Sequence, residues 1–298
     1  RYEVLYLGIS REGEAYYYTG DAEGIRNGSW QKQALPATVS MSRGEPVLWI
    51  EDGRQLRKVY FDMTFPVMHG KNGEDGTLQG LCEMAGIPVV GCGMESSCIG
   101  MDKQLAHTLA KLAGVRVPES VVLQSPAEYA QKQEGIQALG LPVYVKPVRA
   151  GSSFGITRVV KKEDMEPAAV EEAFRHDREL LLEEAVPGFE VGCAVMGNEE
   201  LTLGRVDEIE LQKSEGDSFF DYEEKYTLKT SVIHMPARIS AEEEARVREA
   251  AVKIYRALHC RDFTRVDLFY TDKKEIVFNE VNTIPGFTSH SRFPNMMK

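Results

Sequence analysis

At 298 residues the chain exceeds what one hydrophobic core usually supports, so two or three domains are expected. A formal net charge of −11 argues against non-specific binding to nucleic acid or to an anionic membrane surface. No run of about 18 apolar residues and no signal-peptide pattern is present, which excludes membrane spans and export signals from these residues. The five cysteines are odd in number and lack a C-x-x-C spacing, so neither a disulfide framework nor a zinc site is signalled, and a reducing cytosol is the natural compartment.

Residues 1–90 alternate strand and helix signals: a strand from Val4 to Ile9, another at Val47–Ile50, a third from Phe61 to Met68, a helix over Thr77–Ala85, then Ile87–Val90. That is an α/β pattern. Its most distinctive segment is the glycine-rich turn His69-Gly-Lys-Asn-Gly-Glu-Asp-Gly76, set between a strand and a helix. Ligands of open α/β sheets bind where helix N-termini follow strand ends, which puts His69 and Glu74 at a site edge; the same glycines also suit a plain tight turn. There is no G-x-x-x-x-G-K-[ST], and Gly91 to Ser96 lacks the third glycine of the dinucleotide fingerprint.

A second unit begins at about Gly91. Met101 to Ala113 reads as an amphipathic helix carrying Lys103 near its start and ended by Gly114, and a strand follows at Ser120–Leu123. Pro142 to Pro147 is a strand ending in Lys146, and Arg149 to Gly155 is a small-residue loop with Ser152 and Ser153, leading into Ile156–Val160. A Gly/Ser loop offers N–H groups and hydroxyls to phosphate oxygens, and a neighbouring lysine supplies point charge, an arrangement suited to ATP phosphates; a plain hairpin loop has the same composition.

Leu180 to Glu190 is a buried strand interrupted at Pro187-Gly188, with Glu183, Glu184 and Glu190 available to a purine amino group and ribose hydroxyls; glutamates flanking a strand are also commonly just solvated. Strands follow at Val191–Met196 and Leu201–Ile209. The polar, aromatic segment Gln212 to Thr230 has the character of a mobile lid or of a disordered segment. Ser240 with Glu243 forms a capping box for a helix to about Leu258 that buries Val247, Ala251, Ile254, Tyr255 and Leu258.

The last stretch, Thr264 to Arg292, holds two strand-like runs flanking the turn Thr271-Asp-Lys-Lys274. Alternation puts Arg265 and Asp267 on one face of the first run, and Glu280 and Asn282 on one face of the second. If those faces coincide, two carboxylates and an amide oxygen converge, a donor set suited to Mg²⁺ with substrate phosphates. A surface hairpin with a solvated polar face has the same alternation.

The order of these features resembles the D-alanine:D-alanine ligases and their vancomycin-resistance relatives, members of the ATP-grasp fold. The resemblance rests on HGKNGEDG at His69–Gly76, KPVRAGSS at Lys146–Ser153, EEAVPGFE at Glu183–Glu190, DYEEKY at Asp221–Tyr226, RVD at Arg265–Asp267 and NEVNTIPGFTSHSR at Asn279–Arg292. It implies an α+β ATP-grasp architecture: an N-terminal α/β substrate domain over 1–90 whose first βα unit is missing, a central ATP-grasp subdomain over 91–182, and a C-terminal ATP-grasp subdomain over 183–298, with ATP between the two. The family's usual glycine-rich turn and first-substrate glutamate have no counterpart before Arg1, and its C-terminal helix has none after Lys298, so a longer natural protein is expected.

Carried over position by position, the resemblance implies that Lys103, Lys146 and Ser153 meet ATP phosphates, that Glu183, Glu184 and Val186 meet the adenine, and that Glu190 meets the ribose. Asp267, Glu280 and Asn282 would hold two Mg²⁺ ions, with Mn²⁺ as a substitute. Arg265 and the Gly286 N–H would stabilise an oxyanion, Lys225 would hold the transferring phosphate, and Ser152 with Tyr226 would lock the loop. His69 and Glu74 would border the first substrate and Ser291 the carboxylate of the second. The implied reaction joins two D-amino acids for peptidoglycan precursors in a cytoplasmic homodimer. Where the D-alanine:D-alanine enzymes carry an apolar residue, Arg292 resembles the D-alanine:D-serine ligases, which makes D-serine the expected second substrate. The alternatives are a D-alanine:D-alanine ligase and, further off, a non-catalytic ATP-binding module.

Overall fold

A computed structural model describes residues 2–151, 155–161, 167–211 and 231–298. The chain divides into two compact units, one of Arg1–Phe65 with Gly80–Val90, the other of Pro66–Gln79 with Gly91–Lys298.

In the first unit, strands β1 (Tyr6–Ile9), β2 (Ala15–Tyr18), β3 (Leu35–Val39), β4 (Val47–Asp52) and β5 (Gln55–Tyr60) pair in sequence order, each antiparallel to the next. Helix α1 (Ala22–Arg26) starts at Asp21, whose side chain accepts from the Gly24 N–H at 2.9 Å. Tyr17, Ala37, Leu48 and Ile50 form a small core. The strand expected over Phe61–Met68 is reduced to a single parallel bridge between Thr64 and Val89 on either side of α2 (Thr77–Ala85). The strand and helix signals are therefore present, but successive strands pair antiparallel, β1 with β2 and β4 with β5 across short turns and β2 with β3 across a connection that holds α1.

In the second unit, α4 (Lys103–Leu112) is the helix expected over Met101–Ala113, and a further helix, α3 (Met94–Met101), precedes it. Asp102 separates them: it is extended (φ −84°, ψ 98°) and its side chain accepts from the Leu105 N–H at 3.0 Å, capping α4. That cap places Lys103 at the first position of the helix.

One sheet of the second unit runs β6 (Ser120–Leu123), β9 (Leu180–Glu184), β7 (Val143–Pro147), β8 (Thr157–Val159). Helices α5 (Glu128–Gln131), α6 (Gln133–Ala138) and α7 (Pro167–Ala173) lie along the chain between these strands, and Leu123, Ile136, Val143, Val145, Leu180 and Leu182 pack together. The other sheet runs β12 (Ser231–His234), β11 (Leu201–Leu211), β10 (Gly188–Gly197), β13 (Phe263–Thr271), β14 (Ile276–Asn282). Helix α8 (Ala241–Ala257) carries the expected Ser240/Glu243 capping box, and Val247, Ala251, Ile254, Tyr255 and Leu258 are all buried in its core. A short helix, α9 (Arg292–Met296), follows the terminal loop.

Candidate active site

The β13–β14 register answers the question that alternation left open. Arg265 stands opposite Asn282 and Asp267 opposite Glu280, so the two polar faces coincide. The pairing then shifts, with Leu268 opposite Phe278, and Asn279 becomes the extra residue of a bulge. Bulges re-aim side chains beside functional sites, and this one turns the Asn279 carbonyl onto the ring of His107, with Nε2 2.8 Å away.

Around this face the structure gathers six ionic side chains, Glu280 among them. Arg265 donates from Nε and Nη2 to the two oxygens of Asp267 at 2.8 and 2.7 Å, and Asn282 Nδ2 adds a third hydrogen bond at 2.8 Å. Arg292 donates from Nε and Nη2 to Asp207, both at 2.7 Å, and from Nη1 to Glu190 at 2.9 Å; the same Nη1 lies 3.3 Å from Asp267. Asp207, Asp267 and Arg292 are buried. Burial alone would raise the Asp267 carboxyl, but Arg265 and then Arg292 outweigh it and hold its pKa below the usual carboxylate range. With Glu280 opposite Asp267, four carboxylates face two guanidinium groups, an excess of two negative charges. Asp207 was not among the residues expected at the site. Its signal was the adjacent acids Asp207 and Glu208 within one strand, both of them buried, since a buried charge requires a partner.

A cavity of about 450 Å³ lies against the β6–β9–β7–β8 sheet and the β10–β14 end of the other. It is lined by the expected nucleotide residues Lys103, Lys146, Glu183, Glu184, Val186 and Glu190, and also by Tyr144, Ile209, Phe269, Glu208 and Arg238, which the sequence did not single out. Lys146 is buried and ion-paired to Glu183. Arg238 donates from its backbone N–H to Glu208 Oε2 at 2.8 Å and from Nη2 to Oε1 at 2.5 Å, closing one wall of the cavity.

A smaller cavity, about 220 Å³, brings together His69, Glu74, Arg265, Gly286, Ser291 and Arg292. Lys103 and Glu280 line both spaces. Glu74 accepts from the Gly70 N–H at 2.6 Å and lies 3.6 Å from His69 Nδ1, so the glycine-rich turn fixes the carboxylate that raises the His69 pKa above its ordinary value. Ser291 Oγ accepts from the Thr288 N–H at 3.0 Å; a Cβ at Gly286 would come within 2.6 Å of that hydroxyl oxygen, so only glycine lets this backbone approach so closely. The expected site residues Ser152, Ser153, Lys225 and Tyr226 lie outside the described residues.

Two carboxylates and an amide carbonyl fit a hard divalent cation that takes its remaining ligands from phosphates and water. No group of three His, Cys, Asp or Glu side chains that could hold a metal ion occurs among the described residues. Glu280 borders both cavities.

Residues 1–92 match the profile of the D-ala D-ala ligase N-terminus and residues 109–298 that of the D-ala D-ala ligase C-terminus. The chain belongs to the D-ala D-ala ligase family. It superposes on the crystal structure of the VanG D-Ala:D-Ser ligase from Enterococcus faecalis with a TM-score of 0.88 and 56% identity, covering 99% of this chain and 84% of that one. It is 46% identical over 268 residues to the vancomycin B-type resistance protein VanB of Enterococcus faecalis, covering 90% of this chain and 77% of the relative. It is also 39% identical over 303 residues to a D-alanine–D-alanine ligase of Caldicellulosiruptor bescii, covering 100% of this chain and 82% of the relative. The fold is thus ATP-grasp, and the protein is an ATP-dependent ligase of two amino acids, using a divalent metal, that makes a D-alanyl-D-X unit for cell-wall precursors. Among the described residues no helix is long and apolar enough to cross a membrane.

Proposed function

We propose that the protein is a D-alanine:D-serine ligase. The observation that carries this reading is Arg292, whose buried guanidinium lines the smaller cavity beside Ser291, Gly286 and Arg265. A guanidinium has five N–H donors, and three are used in the hydrogen bonds to Asp207 and Glu190. A donor directed at the acceptor's side chain is satisfied by the hydroxymethyl oxygen of serine and left unpaired by the methyl of alanine. The similarity to the VanG D-Ala:D-Ser ligase supports the same reading.

In this mechanism the carboxylate of D-alanine attacks the γ-phosphorus of ATP, giving D-alanyl phosphate and ADP. The amine of D-serine then attacks the acyl carbon, the oxyanion forms against Arg265 and the Gly286 N–H, and phosphate departs as the amine proton is lost to solvent or phosphate. Lys103 and Lys146 bind the ATP phosphates; Glu183, Glu184 and Val186 bind the adenine, and Glu190, held by Arg292, is shared with the ribose. Asp267, Glu280 and Asn282 hold the divalent ions, two Mg²⁺ with Mn²⁺ as a substitute, which when bound neutralise phosphate charge. His69 and Glu74 border D-alanine. Residues 91–182 and 183–298 act as the two ATP-grasp subdomains, following an N-terminal domain over 1–90. All five cysteines are free, in keeping with a cytoplasmic enzyme, and the family resemblance supports a homodimer.

The second reading, a D-alanine:D-alanine ligase, is favoured by the engagement of Arg292 with three carboxylates, Glu190, Asp207 and Asp267, and by the similarity to the Caldicellulosiruptor enzyme. Competing D-serine against D-alanine for limiting ATP separates the two: D-alanyl-D-serine as the main product supports the first, D-alanyl-D-alanine the second.

A further inference from the structure

His107 has no part in the reaction just described, yet it lies behind the nucleotide cavity in a chemically unbalanced position. It sits one turn after Lys103 on α4, is buried, and packs edge-on against Phe278 with ring centroids 5.4 Å apart. Its Nε2 is 2.8 Å from the Asn279 carbonyl oxygen, an acceptor only, so Nε2 carries the hydrogen. A neutral ring then presents a lone pair at Nδ1. That nitrogen faces Glu183 Oε2 at 3.7 Å, and both atoms are buried without a hydrogen-bond partner. Two acceptors face one another, while the other oxygen of the same carboxylate is held by Lys146.

The balance of this arrangement depends on Lys146. Burial holds the His107 pKa below its ordinary value, Glu183 and the Asn279 carbonyl act to raise it, and Lys146 and Lys103 act to lower it. These groups, on β9, β14, β7 and on α4 itself, are the charged or polar neighbours that act on the ring. A phosphate brought to Lys146 and Lys103 cancels the two positive charges that oppose protonation and leaves Glu183 with a weakened cationic partner. The sign is the same whether Lys146 swings away from Glu183 or stays in place. A proton on Nδ1 would convert the acceptor pair into a charge-assisted hydrogen bond.

We propose that His107 is a positioning residue of the nucleotide site: when nucleotide phosphate engages Lys146 and Lys103, Nδ1 of His107 takes a proton from solvent and donates it to Glu183 Oε2, holding that carboxylate in place. The inference rests on the assignment of Lys103 and Lys146 to nucleotide phosphates. Nucleotide binding is then linked to proton uptake, and affinity rises as pH falls through the range in which free His107 is neutral.

Calorimetric titration of the protein with ADP and Mg²⁺ at pH 7, in buffers of different ionisation enthalpy, tests this. The wild type is expected to show net proton uptake on binding, approaching about one proton per site. His107→Gln, whose amide can still donate to the Asn279 carbonyl but cannot titrate, is expected to abolish that uptake and to flatten the pH dependence of the ADP dissociation constant. Nitrogen-detected NMR of the wild-type imidazole, free and with ADP, needs no variant: Nδ1 should become protonated in the complex. Binding with no proton uptake, equal uptake in His107→Gln, or a neutral Nε2–H ring in the ADP complex each overturns the proposal while leaving the nucleotide site standing. Failure of ADP to bind the wild type at all overturns both.

Discussion

Arg292 and Asp207, 85 residues apart in the chain, form a two-point ion pair in which Nε and Nη2 each donate to a different carboxylate oxygen at 2.7 Å. Both side chains are buried, and β11 and the start of α9 are thereby tied together at the wall of the smaller cavity. Arg292 owes its position to that carboxylate, and the consequence is measurable. Asp207→Ala leaves a buried guanidinium short of its main partner and should lower the unfolding free energy by about 3–5 kcal/mol. D-Serine use should fall with it, more than ATP binding does. Denaturant unfolding and acceptor kinetics measure the two effects; a variant of wild-type stability would show that the ion pair does not hold the arginine.

Gly192 is the floor under the same pair. A Cβ there would lie 2.3 Å from Arg292 Nη2 and 2.7 Å from Asp207 Oδ1, and the Gly192 N–H itself donates to Asp207 at 3.0 Å. Gly192→Ala should therefore displace the guanidinium and cost about 1–3 kcal/mol from overpacking. Thermal unfolding with a parallel D-serine assay checks it. An unchanged melting temperature and unchanged acceptor preference would mean that the pair has room to shift.

His69 carries the clearest pH signature of the substrate cavity. Glu74, 3.6 Å from Nδ1, raises the His69 pKa against the opposing effect of burial. A raised histidine pKa contributes stability that is fully present below its unfolded value near about 6.5 and is lost as pH rises through the higher folded value. Proton NMR should find His69 titrating above the ordinary histidine range, and Glu74→Gln should bring the midpoint down. A midpoint at or below the ordinary value in the wild type would remove this pair from the account.

The terminal hairpin was legible because its signals are local: a period of two, a polar turn, and polar side chains on one face. The same holds for α8, where the Ser240–Glu243 box and the spacing of Val247, Ala251, Ile254 and Leu258 agree with one another. What escaped the sequence depends on contacts between distant residues. Asp207 reads as one acid in a strand until Arg292 arrives from the far end of the chain, and His107 reads as a helix-face residue until the bulge at Asn279 offers it a carbonyl. The break between α3 and α4 was hidden for another reason. The apolar residues of α3 follow no helical period, unlike those of α4, and only the extended backbone of Asp102 marks where one helix ends and the other begins.

The most direct test of the central claim is the dipeptide made when D-serine and D-alanine compete as acceptors for limiting ATP, read by mass spectrometry. The account predicts mainly D-alanyl-D-serine from the wild type, with the preference shifting about tenfold or more toward D-alanyl-D-alanine in Arg292→Leu. Mainly D-alanyl-D-alanine from the wild type, with the ratio unmoved by Arg292→Leu, would contradict it.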